Sequence, residues 1–113
     1  MKPIMYFDYI FVEPILAGVK IHTVRRKLDA EFRSGTIVEC RTPDEKVFAN
    51  IRIDYNLRNW LHKSFACWEQ EGFGNEDEFR KWWKENQDTE IRNREVWGTY
   101  FKLVANLRDK ERD

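Results

Sequence analysis

Cysteine is scarce in this sequence. Cys40 and Cys67 are the whole supply, and they stand in no paired spacing. That argues against a disulfide framework and fits a reducing compartment, the cytoplasm. No CxxC pair occurs, and His22 and His62 keep no ligand spacing with the cysteines or with each other, so neither a metal nor another cofactor is expected. Long apolar runs are also missing. The N-terminal stretch MKPIMYFDYIFVEPILAG is broken by Asp8, Glu13 and Pro14, and reads as neither a signal peptide nor a membrane span. An excess of one charge is missing too: 20 Lys and Arg balance 20 Asp and Glu, so bulk charge does not mark a nucleic-acid binder. Finally, there is no phosphate-binding glycine loop, dinucleotide fingerprint, nucleophile elbow or zinc-hydrolase motif.

What the chain does have is aromatic mass and a lopsided distribution of charge. Aromatics are 15% of the 113 residues, enough for one compact core, or for a core plus a stacking surface. Residues 1–105 read as a single domain and 106–113 as a charged tail, with 108–113 expected to fray. Between Val19 and Arg33 five basic residues face two acidic ones, whereas between Glu69 and Glu90 eight acidic residues face three basic ones. The neutral total thus hides a basic and an acidic region. These are two solvated faces or, on the basic side, a local anion site.

Pattern and punctuation predict the elements. Residues 2–7 suit a strand, and 11–17 a short helix with Pro14 in its first turn and Gly18 past its end. Residues 21–25 are β-rich, and 35–42 hold a strand entered through Ser34-Gly35. The cleanest alternation follows: Val47, Ala49, Ile51, Ile53 and Tyr55 on one face, Phe48, Asn50, Arg52 and Asp54 on the other. Leu61, Phe65 and Trp68 stripe a helix over 59–71 that stops at Gly72. Asn75 caps a second helix with Glu78 in a capping box, and Phe79, Trp82 and Trp83 form its apolar face. Residues 95–104 alternate as a last strand. The order strand, helix, three strands, two helices, strand predicts an α+β domain: a small curved antiparallel or mixed β-barrel flanked by helices.

Candidate chemistry gathers in Gly18–Arg25. Within that strand Ile21, Thr23 and Arg25 share a face, while His22 and Val24 point away. Thr23 and Arg25 can therefore look into one cavity. Lys20 joins them only if the chain twists where the helix ends; strict alternation places it on the His22 side. A solvated lysine, a β-favouring threonine and a surface run Arg25-Arg26-Lys27 account for the same residues without chemistry. Glu69 and Glu71 end the predicted helix, where the dipole disfavours a carboxylate; Glu71 is mildly odd there, and a simple exposed glutamate accounts for it without chemistry.

The run Ile15-Leu16-Ala17-Gly18-Val19-Lys20-Ile21-His22-Thr23-Val24-Arg25 resembles the ILxGxKTxTxR signature of ASCH domains, relatives of the PUA fold. Trp68-Glu69-Gln70-Glu71-Gly72-Phe73 is similar to the family's helix-end segment, and residues 96–103 to its closing strand. The resemblance implies a small PUA-like barrel with a cleft for RNA or a modified nucleoside. One bacterial branch of the family consists of amidohydrolases that deacetylate N4-acetylcytidine. By that resemblance Lys20 is the catalytic lysine, Thr23 the nucleophile and Glu71 the acid; Arg25 and Arg26 bind substrate, and Trp68 and Trp97 can stack on a base. The chain departs from the branch at Ile21, where a threonine is usual, and at His22. The alternative is a non-catalytic RNA-binding or regulatory module, or a weak ribonuclease, using the same basic cleft. The partner expected is a nucleoside or RNA, with no membrane involved.

Overall fold

The computed structural model describes residues 2–26, 32–87 and 91–108. In chain order the elements are β1 (Ile4–Tyr6), a 3₁₀ turn (Tyr9–Phe11) running into α1 (Val12–Leu16), and β2 (His22–Arg25). They continue with β3 (Ile37–Arg41), β4 (Val47–Trp60), α2 (Leu61–Ser64) extended by a 3₁₀ turn (Phe65–Cys67), α3 (Glu76–Asn86) and β5 (Glu95–Asn106). The order of strands and helices is the one the sequence predicts. The expected fraying of 109–113 and the basic and acidic residues at 27–31 and 88–90 lie outside the described residues.

The five strands form one mixed sheet in the order β1-β3-β4-β5-β2. β1 runs parallel to β3, and every other pairing is antiparallel. The fold is α+β as expected, but the sheet is not closed into a barrel: β1 and β2 are its two edges and do not pair with each other. A cavity lies at the seam between them.

β4 is the spine. It pairs with β3 on one side and with β5 as far as Trp60↔Glu95 on the other. That pairing draws 59 and 60 into the strand, so the helix expected over 59–71 starts only at Leu61 and gives way to turns after Cys67. Its stripe survives: Leu61 and Phe65 are buried with Phe79, Trp83 and Val96, and Trp68 packs against that cluster. A larger core between the sheet and α1 holds Met5, Phe11, Ile15, Val38, Ile51 and Phe101, among others. Along β4 Ala49, Ile51 and Ile53 are fully buried as the alternation predicts, but Phe48, expected on the opposite face, is buried too, packed edge-on against Phe7. Then the register shifts between Ile53 and Tyr55. The bulge reverses parity, so Tyr55 faces out and Asn56 faces in.

Candidate functional site

Two backbone devices bring the two sequence motifs together. After α1 the chain turns through Gly18 at φ +75°, and the Pro14 carbonyl accepts from both Val19 N and Lys20 N. After Cys67 the chain closes a turn in which Glu71 N donates to Cys67 O and Phe73 N donates to Trp68 O, leaving through Gly72 at φ +90°. The two segments are stitched by Ile21 N and His22 N, which both donate to Gln70 O. Gly72 packs so closely that a Cβ there would stand 3.0 Å from Pro14 Cβ and 3.4 Å from Lys20 Cβ.

The result is a buried ion pair. Lys20 is 1% exposed and Glu71 2%. Lys20 Nζ donates to Glu71 Oε2 at 2.6 Å, to His22 O at 2.8 Å and to Glu71 O at 3.3 Å. Three N–H donors thus meet three acceptors, and the ammonium lies 4.3 Å from the centre of the Phe11 ring. Glu71 does not end a helix as the sequence predicts: it lies in the turns that follow Cys67, so no helix dipole bears on its carboxylate. Burial pushes the Lys20 ammonium below the ordinary lysine value, against the opposing pull of Glu71.

The same carboxylate has a second partner. His22 Nδ1 lies 2.6 Å from Glu71 Oε1, and His22 is buried. Strict alternation therefore describes the segment: Lys20 and His22 meet one carboxylate, while Thr23 and Arg25 face the other way. Sequence reasoning set His22 aside because it lacked Glu71's position; the clue it held was the shared parity of Lys20 and His22.

Thr23 and Arg25 line the cavity at the seam, about 1110 Å³ in volume, between the edge strands β1 and β2. Phe11 and Phe32 contribute to its lining, and Trp82 and Asn86 of α3 form one wall. Phe11 also touches Lys20, and the His22 carbonyl held by Lys20 Nζ is in the peptide unit that leads into Thr23. The Arg25 guanidinium lies 4.6 Å over the Phe32 ring. Behind Thr23 the register aligns Thr99 and Asn56; Thr99 Oγ1 donates to Asn56 Oδ1, and Asn56 Nδ2 donates to the backbone carbonyl of Phe32, which ties down the chain at that residue. Arg26 is exposed beside the cavity and reaches Gln87 O at 3.5 Å. Asp8 and Trp82 also face the cavity; no motif marked either.

Of the residues expected to share one cleft, Lys20 and Glu71 are not among the cavity's lining residues, and neither are the two tryptophans expected to stack on a base. Trp68 packs on the α2–α3 core, and Trp97 stands opposite Arg25 in the β2–β5 register with Arg58 5.9 Å over its ring. Ile21, the departure from the signature, is 38% exposed and outside the buried cluster. Among the described residues no group of three or more His, Cys, Asp or Glu side chains is placed to hold a metal, and no helix is long and apolar enough to cross a membrane.

No family model matches the sequence, and no curated protein matches it. Solved structures do match the fold. A protein of Enterococcus faecalis V583 from the DUF984 family superposes with a TM-score of 0.73 at 16% identity, covering 100% of this chain and 82% of its own. A point mutant of the Zymomonas mobilis ASCH protein gives 0.66 at 13% identity, over 96% of this chain and 78% of that one. The ASCH domain of Lactobacillus crispatus JV V101 gives 0.62 at 15% identity, over 89% and 79%. The chain has the ASCH-domain fold.

Proposed function

We propose that this ASCH-fold chain is an amidohydrolase that takes an N4-acylated cytosine nucleoside into the seam cavity and removes the acyl group. The observation that carries the reading is the Lys20–Glu71 pair, 2.6 Å apart and almost fully buried, separated by Phe11 and the His22–Thr23 peptide from a cavity lined by Thr23 and Arg25.

Amide hydrolysis needs a nucleophile, a base that activates it and an acid for the leaving amine. All three donors of Lys20 are occupied, so it acts as a base only after losing a proton. Glu71 Oε2 is the acceptor at hand. Moving that proton leaves a neutral amine and a neutral carboxylic acid, and burial makes that transfer easier than it is in water. Thr23 faces away from the pair in this structure, so turnover requires the Lys20 amine and the Glu71 carboxyl to swing past the His22–Thr23 peptide toward the cavity as substrate binds. The amine then takes the Thr23 hydroxyl proton as Oγ bonds to the acyl carbon. The bond from that carbon to cytosine N4 breaks, and Glu71 gives its proton to the departing nitrogen. The acyl group is left as an ester on Thr23, and water hydrolyses it to the free acid and threonine. Arg25 is the cation on the cavity wall that suits a developing oxyanion. The test is release of cytidine from N4-acetylcytidine by the purified chain; turnover that persists in Lys20→Ala and Glu71→Gln would remove the reading.

A second reading is favoured by Arg25 and exposed Arg26 at the same cavity: a module that binds RNA without cleaving an amide. Tryptophan fluorescence titrated with short RNAs at two salt concentrations tests it. Affinity should fall as salt rises, and absence of binding at low salt would count against it.

A further inference from the structure

His22 is the one buried imidazole in the cluster, and neither the ion pair nor the nucleophile requires it. We propose that His22 is a positioning residue: its Nδ1–H fixes the Glu71 carboxylate by holding Oε1, so that proton exchange with Lys20 is confined to Oε2. The mechanistic part of this inference rests on the hydrolase reading above.

The contact itself is the first support. A 2.6 Å approach between a ring nitrogen and a carboxylate oxygen, both buried, is a charge-assisted hydrogen bond. An ionised carboxylate only accepts, so Nδ1 carries the hydrogen. With Lys20 on Oε2 and His22 on Oε1, each oxygen has its own donor and the carboxyl group cannot rotate without breaking both bonds. Held by Lys20 alone, it could exchange its oxygens.

The second support is steric and independent of charge. Gly98 on β5 leaves room for the ring: a Cβ there would stand 2.3 Å from His22 Nε2, inside any tolerable contact. The neighbouring strand is thus cut to fit an imidazole. The third is the tilted ring contact with Tyr100. Tyr100 lies opposite His22 in the β2–β5 register with ring centres 4.3 Å apart, and Tyr55 stacks on Tyr100 at 4.7 Å. The imidazole is therefore held by Tyr100, by the Gly98 backbone and by Glu71, which fixes its ring orientation as well as its partner.

Replacement variants separate positioning from packing. Asparagine places an N–H near the Nδ1 position, glutamine near Nε2, and leucine supplies bulk without a donor. Against N4-acetylcytidine, His22→Leu and His22→Gln should lower kcat by about 10- to 100-fold, because a small misplacement of a catalytic group costs that much. His22→Asn should recover most of it, with KM changed little in all three, since the effect lies in the transition state. Nitrogen-15 NMR of the imidazole gives a readout without turnover. The wild type should show a protonated Nδ1 with a downfield proton that moves upfield in Glu71→Gln. Leucine and glutamine variants as fast as the wild type would overturn the proposal while leaving the hydrolase reading standing. A wild type inert toward the substrate would remove the hydrolase reading, and the NMR arm then decides: a ring protonated only at Nε2, or a signal indifferent to Glu71→Gln, overturns the proposal.

Discussion

Removing one member of the buried ion pair should cost far more than removing both. In Lys20→Met, the Glu71 carboxylate loses its Oε2 partner in a site 2% exposed and keeps only His22. In Glu71→Met, the Lys20 ammonium keeps two carbonyls and no counter-charge. A stranded buried charge costs ~3–5 kcal/mol, whereas replacing both partners with apolar groups of similar volume is often close to neutral. For a domain of this size each single variant should lose roughly 10–25 °C in Tm. The double variant should be much nearer the wild type, so the two costs do not add. Urea unfolding followed by fluorescence of the five tryptophans measures all four corners of the cycle. The pair is dry, so the result should depend little on salt. Single costs below about 1 kcal/mol, or costs that simply sum, would refute the reasoning.

Three further outcomes follow from the same geometry. Lys20 holds its proton less readily in the fold than in the unfolded chain, so between its lowered value and the ordinary lysine value the unfolded state binds more protons. The Lys20-dependent part of stability, read as wild type minus Lys20→Met, should therefore rise with pH across that alkaline window; a fall would reverse the sign of the argument. Burial pushes the Cys40 thiol up, and Cys67 is only partly buried, so a thiol reagent should label Cys67 alone in the native state and both in urea, with mass spectrometry as the check. Gly72→Ala should destabilise by about 1–3 kcal/mol, since its φ of +90° strains an L residue and the added Cβ meets Pro14; an unchanged urea midpoint would contradict this.

Local signals in the chain were legible where local physics decides. Asn75 caps α3 by accepting from Glu78 N at 2.9 Å, as its position predicts. Even there the reciprocal bond differs: the Glu78 carboxylate takes Gly74 N at 2.8 Å instead of the cap's own amide. What the sequence hid was non-local. The apolar stripe 61–68 looks like a longer helix because periodicity cannot see β5 pairing with residues 59 and 60. Tyr55 looks buried because a bulge, which reverses parity, leaves no mark in the pattern. For the site, spacing fixed which side chains share a strand face, and so linked Lys20 to His22 and Thr23 to Arg25. It could not supply the turn that carries Glu71 across 51 positions to Lys20, nor the open seam between β1 and β2. The resemblance of the two short motifs supplied Glu71; Asp8 and Trp82 came only from the folded chain.

The central claim is that the Lys20–Glu71 pair activates Thr23 at the seam cavity. Its most direct test is a single-turnover reaction of excess protein with N4-acetylcytidine, quenched over time and read for free cytidine and for an acetyl group on the Thr23 peptide. Cytidine release together with transient acetylation of Thr23 is expected in the wild type, and neither in Thr23→Val or Glu71→Gln. Cytidine released equally by those variants, or no cytidine from the wild type, would contradict the claim.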